Sequence, residues 1–408
     1  MVAKLPDLST LALLHRVPVQ TIVAVAAVFS CLFWWFVSWR FERTRRAVVW
    51  LDLQRPPEPS RWPLVSLIVP ACNEALTLRR AVASRLNDDY PNLEMVLIDD
   101  RSTDESGRLI DELASRDRRV TAIHLTELPE GWLGKLNALQ QGTAKATGDW
   151  FLFSDADVEF APGTLRSAVA YSEARGLDHL VAMPRFLPAG AILDAAIDTF
   201  ISGMMADIDF AKVEDPRSRA AIGSGVFSMV RRAALERTAG FEWLKLEVAD
   251  DVALGQMLKR VGARQAMVNA SRQVSLHWYK TLGEMAQGME KNSFAILGRY
   301  RMGWLLVSCG LILLLSLGPL AGLFLAKALW LRGLCAVTLV LGIVARMRFN
   351  HWAGRSLLPV LLFPLGTLLI VAMALRAGIL TVWRGGVVWR GTLYPTEQLR
   401  ANMRLEVF

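Results

Sequence analysis

Four stretches of this chain are too long and too free of charge to be buried helices of a soluble domain: residues 17–37, 304–326, 328–345 and 357–375. About 20 apolar helical residues cross the hydrocarbon core of a bilayer, and each run reaches or approaches that length. Hydrophobic residues make up 53% of the 408-residue chain, and the excess is concentrated in these runs. They divide the chain before any motif is read. We expect a tail at 1–16, a transmembrane anchor at 17–39 and a basic, proline-rich connector at 40–62. A globular domain follows at 63–280, then an interfacial amphipathic helix at 281–303, two to three membrane segments over 304–378, and a basic tail at 379–408.

The first run closes on Trp34, Trp35 and Trp39, and Arg40, Arg43, Arg45 and Arg46 follow at once. Tryptophan favours the membrane–water boundary, and arginine-rich flanks stay on the anionic, cytoplasmic side. This places the N-terminus outside and residues from 40 onward in the cytoplasm. A cleaved signal peptide, suggested by Lys4, His15 and Arg16, fits less well: the run is long, no small-x-small site follows it, and the charge is heaviest behind it. The last run contains Pro359, Pro364 and Gly366, which suggest a kinked span or a re-entrant hairpin. Three full C-terminal spans would put the tail outside, yet that end of the chain carries Arg376, Arg384, Arg390, Arg400 and Arg404. We expect a cytoplasmic tail behind an incompletely spanning last segment.

The net charge of +8 sits beside the apolar runs, and no basic helix with interleaved aromatics appears, so a nucleic-acid partner is not expected. Cys31, Cys72, Cys309 and Cys335 form no CxxC pair, which argues against a disulfide framework or a structural zinc site.

From Pro63 the pattern changes to short apolar runs at 65–69, 95–98, 120–125, 150–153 and 180–183, which read as buried strands. Helix-like segments lie between them at 73–87, 104–116, 135–146 and 162–175. Such alternation implies an α/β domain with a mainly parallel sheet covered on both faces, and ligands bind beyond the carboxyl ends of its strands. The residues there are Pro70-Ala71-Cys72-Asn73-Glu74 after the first strand, Asp99 and Asp100 with Arg101-Ser102-Thr103-Asp104 after the second, and Ser154-Asp155-Ala156-Asp157 after the fourth.

Each cluster alone has a plainer reading, since Asn73 or Asp104 can cap a helix for about 1 kcal/mol. Carboxylates gathered along one edge repel one another unless a cation or donor groups hold them. A divalent metal, Mg2+ or Mn2+, bridging a diphosphate accounts for all of them, with Asp157 and Asp155 as its oxygen ligands.

Gly131-Trp132-Leu133-Gly134-Lys135-Leu136-Asn137-Ala138 opens a helix whose N-terminus suits phosphate, with Lys135 adding a point charge. Gly223-Ser224-Gly225 is read on the acceptor side as small residues leaving room for a substrate, or equally as a tight turn. Asp250 and Asp251 start another helix; one serves its dipole, and the other can accept a proton from an attacking hydroxyl. Asp251 is the expected base, with Asp250 second. His277-Trp278-Tyr279-Lys280 is read as the approach to a membrane-surface helix rather than as a catalytic histidine.

Together, Pro70 to Glu74, Ile98 to Asp104, Ser154 to Asp157 and Ala249-Asp250-Asp251 resemble the family 2 glycosyltransferases over about residues 63 to 295. The Gly131 to Ala138 segment, with Lys291-Asn292, looks closest to the hopene-associated and carotenoid glycosyltransferase branch. The resemblance implies a GT-A, Rossmann-like nucleotide-diphospho-sugar transferase fold and a metal-dependent, inverting transfer of a single hexosyl-type sugar. The donor would be a nucleotide sugar, a UDP-sugar first among the candidates, and the acceptor a membrane lipid of isoprenoid or hopanoid type. By the resemblance, Asp100 and nearby Asp99 contact the nucleoside, and Pro70, Asn73, Glu74, Lys135 and Asp155 complete the nucleotide-sugar site. Asp157 with Asp155 holds the metal, and Asp251 is the base. It also implies a multi-pass protein of the bacterial inner (cytoplasmic) membrane with its catalytic domain in the cytoplasm.

Two departures stand out. The usual Glu-Asp pair is Asp250-Asp251, and the Gln-x-x-Arg-Trp motif of processive synthases is absent, Arg299-Tyr300-Arg301-Met302-Gly303-Trp304 being a faint echo. Trp389-Arg390-Gly391 would close the site instead if the tail is cytoplasmic. A processive polysaccharide synthase and a non-catalytic scaffold of a membrane biosynthetic complex are the alternatives. Acceptor specificity is expected in the weakly patterned stretch 184–222.

Overall fold

The computed structural model describes residues 18–406, so the expected tail at 1–16 lies outside the described residues. The described residues open on helix α1 (Val19–Ala47), which continues past the expected anchor and delivers strand β1 (Val49–Trp50) straight into the main sheet. The sheet-building units follow: β2 (Val65–Ala71), α2 (Ala75–Leu86), β3 (Leu93–Asp100), α3 (Ser106–Arg116), β4 (Val120–Leu125), α4 (Gly134–Lys145) and β5 (Trp150–Phe153). Then come β6 (Glu159–Phe160), α5 (Thr164–Arg175), β7 (His179–Met183), β8 (Arg185–Phe186) and α6 (Ala191–Asp207). The domain closes with β9 (Ser228–Arg231), α7 (Asp250–Arg260), β10 (Gln265–Asn269) and β11 (Val274–Leu276).

Eight strands form one sheet in the order β1-β10-β7-β9-β5-β2-β3-β4. All its pairs are parallel except those of β9, which runs antiparallel to both β5 and β7. The continuous apolar strands are explained by burial on both faces. Val65, Leu67 and Val69 face one core and Ile68 the other, and Met95 and Leu97 are likewise opposed to Val96 and Ile98. Each such side chain contributes about 1.5–3 kcal/mol when fully buried. A second sheet, β6-β11-β8, sits beside the first.

After β11, α8 (Leu282–Ile296) starts with a capping box: Thr281 Oγ1 accepts from Glu284 N at 3.1 Å, and Glu284 accepts from Lys280 N at 2.8 Å. Three long helices follow, α9 (Met302–Leu325), α10 (Leu329–Trp352) and α11 (Phe363–Arg384), the last preceded by a 3-10 turn at Leu358–Leu362. Four helices, α1, α9, α10 and the Leu358–Arg384 segment, are long and apolar enough to cross a membrane. Gln20 of α1 donates to Leu325 O at 3.0 Å, and Trp34 Nε1 donates to Leu315 O at 2.9 Å, so α1 and α9 run side by side.

The prolines of the last run mark its change from the 3-10 turn to α11: Pro359 and Pro364 fall in the first turns of those two segments, where a missing N–H costs nothing. The stretch 281–303 is helical over Leu282–Ile296, and much of that helix's apolar face packs on protein. Met285 and Met289 pack with Ile370 and Met373 of α11, and Glu290 pairs with Arg376 at 3.1 Å and Arg384 at 2.7 Å. Trp278 stacks on Phe186 and Tyr279.

Both ends of α11 are fixed to the α/β domain. A side chain on Gly366 would come within 2.2 Å of the Ala195 carbonyl of α6, so α6 and α11 touch backbone to backbone. Beyond its C-terminus the chain forms a hairpin, β12 (Gly386–Trp389) and β13 (Thr392–Pro395), then a strap. Val387 and Tyr394 join the core that holds Phe153 and Leu254. The strap binds α7 through Glu406 N to Gln256 at 2.9 Å and Gln256 to Glu406 O at 2.8 Å. The segment 379–408, expected as a basic tail, is therefore part of the folded body over its described residues.

Candidate active site

The carboxyl edge of the sheet gathers most of the expected residues. The end of β2, the loop after β5 and the starts of α4 and α7 converge on a narrow pocket lined by Pro70, Lys135, Ser154, Asp155, Asp250 and Asp251. Lys135 is its central cation, 2.8 Å from Asp155 and 3.7 Å from Asp250. Burial works against its charge, but the carboxylates of Asp155, Asp250 and Asp251 outweigh that and hold the ammonium protonated.

Glycines permit this convergence. The Gly225 carbonyl accepts from Asp155 N at 2.8 Å, and Gly225 N donates to Asp251 Oδ2 at 3.1 Å. A methyl on Gly225 would fall 2.8 Å from Lys135 Nζ and 2.9 Å from Asp155, and one on Gly223 would overlap the Asp251 backbone. Ser224 Oγ accepts from Val226 N at 3.2 Å. The Gly223-Ser224-Gly225 segment thus ties the Asp155 loop to α7, and a tight structural connection describes it better than open space.

The carboxylates differ in what they face. Asp99 is turned from the pocket, accepting from Ser102 N at 3.1 Å and lying 3.2 Å from His124 Nδ1. Asp100 is 1% exposed; Arg101 Nε donates to its Oδ1 at 2.8 Å, while its Oδ2 has no partner. A methyl on Gly134 would lie 2.2 Å from that oxygen, so the start of α4 can approach only as glycine. Asn73, at φ 61, spends its side chain on Thr103 N at 2.8 Å and Asp104 N at 3.3 Å. It clamps two loops together, so its role in the geometry is positioning.

Asp157 is pushed up to about 7, by burial first and then by the charges of Asp155 and Glu74. Burial also raises Glu74, with Asp155 adding to it and Arg390 opposing. Among the described residues, no three His, Cys, Asp or Glu side chains form a ready-made metal cage. The donor set still fits a hard divalent cation. One or two carboxylates plus substrate phosphates is the usual provision for Mg2+, and Asp157 and Asp155 are mutually unfavourable carboxylates in need of positive charge.

Asp251 is raised by burial and then by the neighbouring charge of Asp250; its oxygens accept from Gly225 N and, at 2.8 Å, from its own Val252 N. It is thereby oriented and given greater proton affinity.

Three cations complete the site. Arg85 is fully buried under the Asp155 loop, donating through Nε to Val158 O at 3.0 Å and through Nη2 to Asp155 O. Sequence reasoning missed it, although a lone arginine on the face of Leu78, Ala81 and Val82 was the available signal. The other two come from beyond the domain. The β12–β13 tip, Arg390-Gly391, has both residues at positive φ, as a two-residue hairpin turn requires. It places Arg390 toward the Cys72 thiol and the Glu74 carboxylate. Behind it Lys291 of α8 lies 4.7 Å from the Trp389 ring, and burial lowers its affinity for a proton against the pull of Asp250 and Asp251.

Comparison with known proteins gives this geometry a context. Residues 66–238 match the family model described as Glycosyl transferase family 2. An uncharacterized glycosyltransferase of Haemophilus influenzae is 38% identical over 95 residues, covering 23% of this chain and 36% of that protein. A beta-monoglucosyldiacylglycerol synthase of Nostoc is 27% identical over 199 residues, covering 47% of this chain and 40% of that protein. The chain thus spans well under half the length of these curated relatives. Among solved structures, a mannosyltransferase from Pyrobaculum calidifontis in complex with GDP-Man and Mn2+ aligns with TM-score 0.56 at 18% identity, over 89% of this chain and 99% of that one. The fold is a GT-A-like α/β fold with a mainly parallel sheet.

Proposed function

We propose that the domain matched by the family 2 model, together with the C-terminal hairpin, transfers one sugar from a nucleotide-diphosphate sugar to a hydroxyl of a membrane lipid. The observation that carries this reading is the convergence of Asp100, Lys135, Asp155, Asp157 and Asp251 on one sheet edge beneath a hairpin bearing Arg390. A relative that makes a glucosyldiacylglycerol, and four helices able to cross a bilayer, support a lipid acceptor of isoprenoid, hopanoid or glycerolipid type.

In this reading the unpartnered Asp100 oxygen takes an N–H or hydroxyl donor of the nucleoside, since a buried acceptor left unpaired costs about 1–3 kcal/mol. The N-terminus of α4 and Lys135 face the diphosphate. A divalent cation on Asp157 and Asp155 supplies further neutralisation of the leaving diphosphate when bound. Lys291 and Arg390 approach the same charge from the other side, and the hairpin keeps water out. Asp251 takes the acceptor proton as the new bond to the anomeric carbon forms and the bond to the diphosphate oxygen breaks, in one in-line displacement that inverts configuration. Asp250 anchors Lys135.

The helices fit a three-crossing topology. α1 enters from the far side, α9 leaves, α10 returns, and α11 begins and ends against the catalytic domain, which keeps the hairpin on the side of the site it covers. The positive flank of α1 makes that side the cytoplasm.

The test is direct. Full-length protein purified in detergent is supplied with UDP- and GDP-sugars, Mg2+ or Mn2+, and a lipid extract, and the lipids are analysed by mass spectrometry. A lipid heavier by one sugar is the expected product. A polymer, or no transfer from any donor, would overturn the proposal.

A further inference from the structure

A groove of about 960 Å³ lies away from the catalytic pocket and shares no lining residue with it, where the apolar helices α1 and α10 meet the small β6-β11-β8 sheet. Its walls come from the domain-side ends of α1 and α10, from Trp50, and from the turn before β11. Arg45, Arg185, Arg272, Arg348 and His351 line it against a single carboxylate, Glu159. Nearby acids do not cancel that charge. Glu42 alone serves Arg45 at 2.8 Å, Arg46 at 2.8 Å and Arg348 at 2.6 Å. Arg272 pairs with Asp52 at 3.1 Å, Glu159 is held by Arg80 at 2.9 Å, and among the described residues Arg185 has no carboxylate partner.

A second observation is independent of charge. Three lining residues carry buried polar atoms without a partner: Trp352 Nε1, on a side chain 5% exposed, Ser271 Oγ, on one 4% exposed, and the acceptor Gln273 Oε1, which the hydroxyl of a headgroup would satisfy. Buried donors are nearly always satisfied, so an indole N–H and a hydroxyl left open in a roomy basic groove indicate a missing acceptor. Guanidinium groups, an indole N–H and a serine hydroxyl together suit the oxygens of a phosphate.

We propose that this groove binds the phosphate of a membrane lipid headgroup, as a site separate from the catalytic pocket. The inference rests on the reading that α1 and α10 cross a bilayer. Arg45 and Arg348 then stand where those helices leave it, at headgroup depth on the anionic leaflet. The groove also adjoins the chemistry, because Glu159 and Phe160 of β6 follow Asp157 within a few residues. An occupied groove braces the strand that directly follows Asp157.

The experiment measures thermal unfolding of the full chain in a neutral detergent. Probes are short-chain phosphatidylglycerol, short-chain phosphatidylcholine and inorganic phosphate. Expected is a saturable stabilisation by phosphatidylglycerol, little by the other two, and affinity weakened about tenfold in Arg185→Gln and further in Arg185→Gln with Arg272→Gln. If the double variant is unstable without lipid, Arg185→Gln alone decides, since that side chain makes no ion pair among the described residues. Equal stabilisation by inorganic phosphate would reject the lipid as the source. Undiminished phosphatidylglycerol binding in Arg185→Gln would reject the site. Neither readout depends on sugar transfer, so failure here leaves the catalytic proposal standing.

Discussion

The proposed catalytic pocket and the basic groove are opposite solutions to the same problem of assembling like charges. The pocket crowds Asp155, Asp250 and Asp251 around Lys135, with Asp157 and Glu74 near Asp155, and burial first and neighbouring acids second raise Asp157 and Asp251. The groove assembles arginines around Glu42 and Glu159. Each is electrostatically incomplete alone, the first wanting cations and the second an anion. The pocket is buried and held by backbone contacts at Gly223 and Gly225, whereas the arginines of the groove stay half-exposed on flexible stems. The pocket is therefore built for a fixed geometry and the groove for retention of a charged group.

Breaking the pocket has the largest expected effect. Asp251→Asn removes the proton acceptor and one of the two oxygens that accept backbone N–H groups, and turnover falls about a thousandfold, far more than the modest loss of thermal stability accounts for. Asp157→Asn behaves similarly and loses the response to added Mn2+ or Mg2+. Arg185→Gln in the groove leaves turnover in detergent within about twofold, and the contrast in steady-state rates separates the two regions.

Next in size is the hairpin. Arg390→Gln leaves an exposed tip intact but withdraws positive charge from the diphosphate side, and kcat falls about ten- to a hundredfold. A nearly unchanged kcat with weaker acceptor binding would assign the hairpin to the acceptor instead.

A smaller change is expected from Gly134→Ala. The new methyl meets Asp100 Oδ2 at 2.2 Å and Arg101 Nη2 at 2.7 Å, displacing the one unpartnered carboxylate oxygen of the nucleoside side. Donor KM rises about tenfold while kcat changes little, because the metal and base positions are untouched.

The smallest effect concerns a link between the regions. His179 lies in β7, which leads to Arg185 of the groove, and its Nε2 is 2.9 Å from Ser228 Oγ in β9, which follows the pocket's glycine segment. Burial alone drives His179 down to about 3 from its ordinary 6.5. The unfolded chain therefore takes up a proton below about 6.5 that the folded chain refuses, and stability present at neutral pH is lost as pH falls through that range. Near pH 5 the loss is about 2 kcal/mol, and His179→Gln flattens the fall in melting temperature between about pH 7 and pH 5.

Much of this was legible in the order of residues. Strands β2 to β5 and helices α2 to α5 fall within about two residues of their expected positions, because two-sided burial demands uninterrupted apolar runs and the helices between them keep amphipathic spacing. The residues after each strand were legible as site residues because a parallel sheet sends its carboxyl ends to one edge. The stretch 184–222 was not legible. Its helix α6 is buried on several sides by α1, α10 and α11, so no polar face marks its period.

The sequence by itself determined the α/β domain, the apolar helices and the row of carboxylates, since each follows from a local period or a short motif. Tertiary structure decided which acids face the pocket. Asp99 and Asp100 are neighbours in sequence, yet one is absorbed by Ser102 and His124 while the other keeps an open oxygen. It also decided that α8 packs on protein, that the C-terminal hairpin returns to the site, and that arginines more than 300 positions apart, Arg45 and Arg348, share one groove. A local pattern records whether a residue is buried or paired within its own turn, but contacts between distant segments depend on how whole elements close on one another.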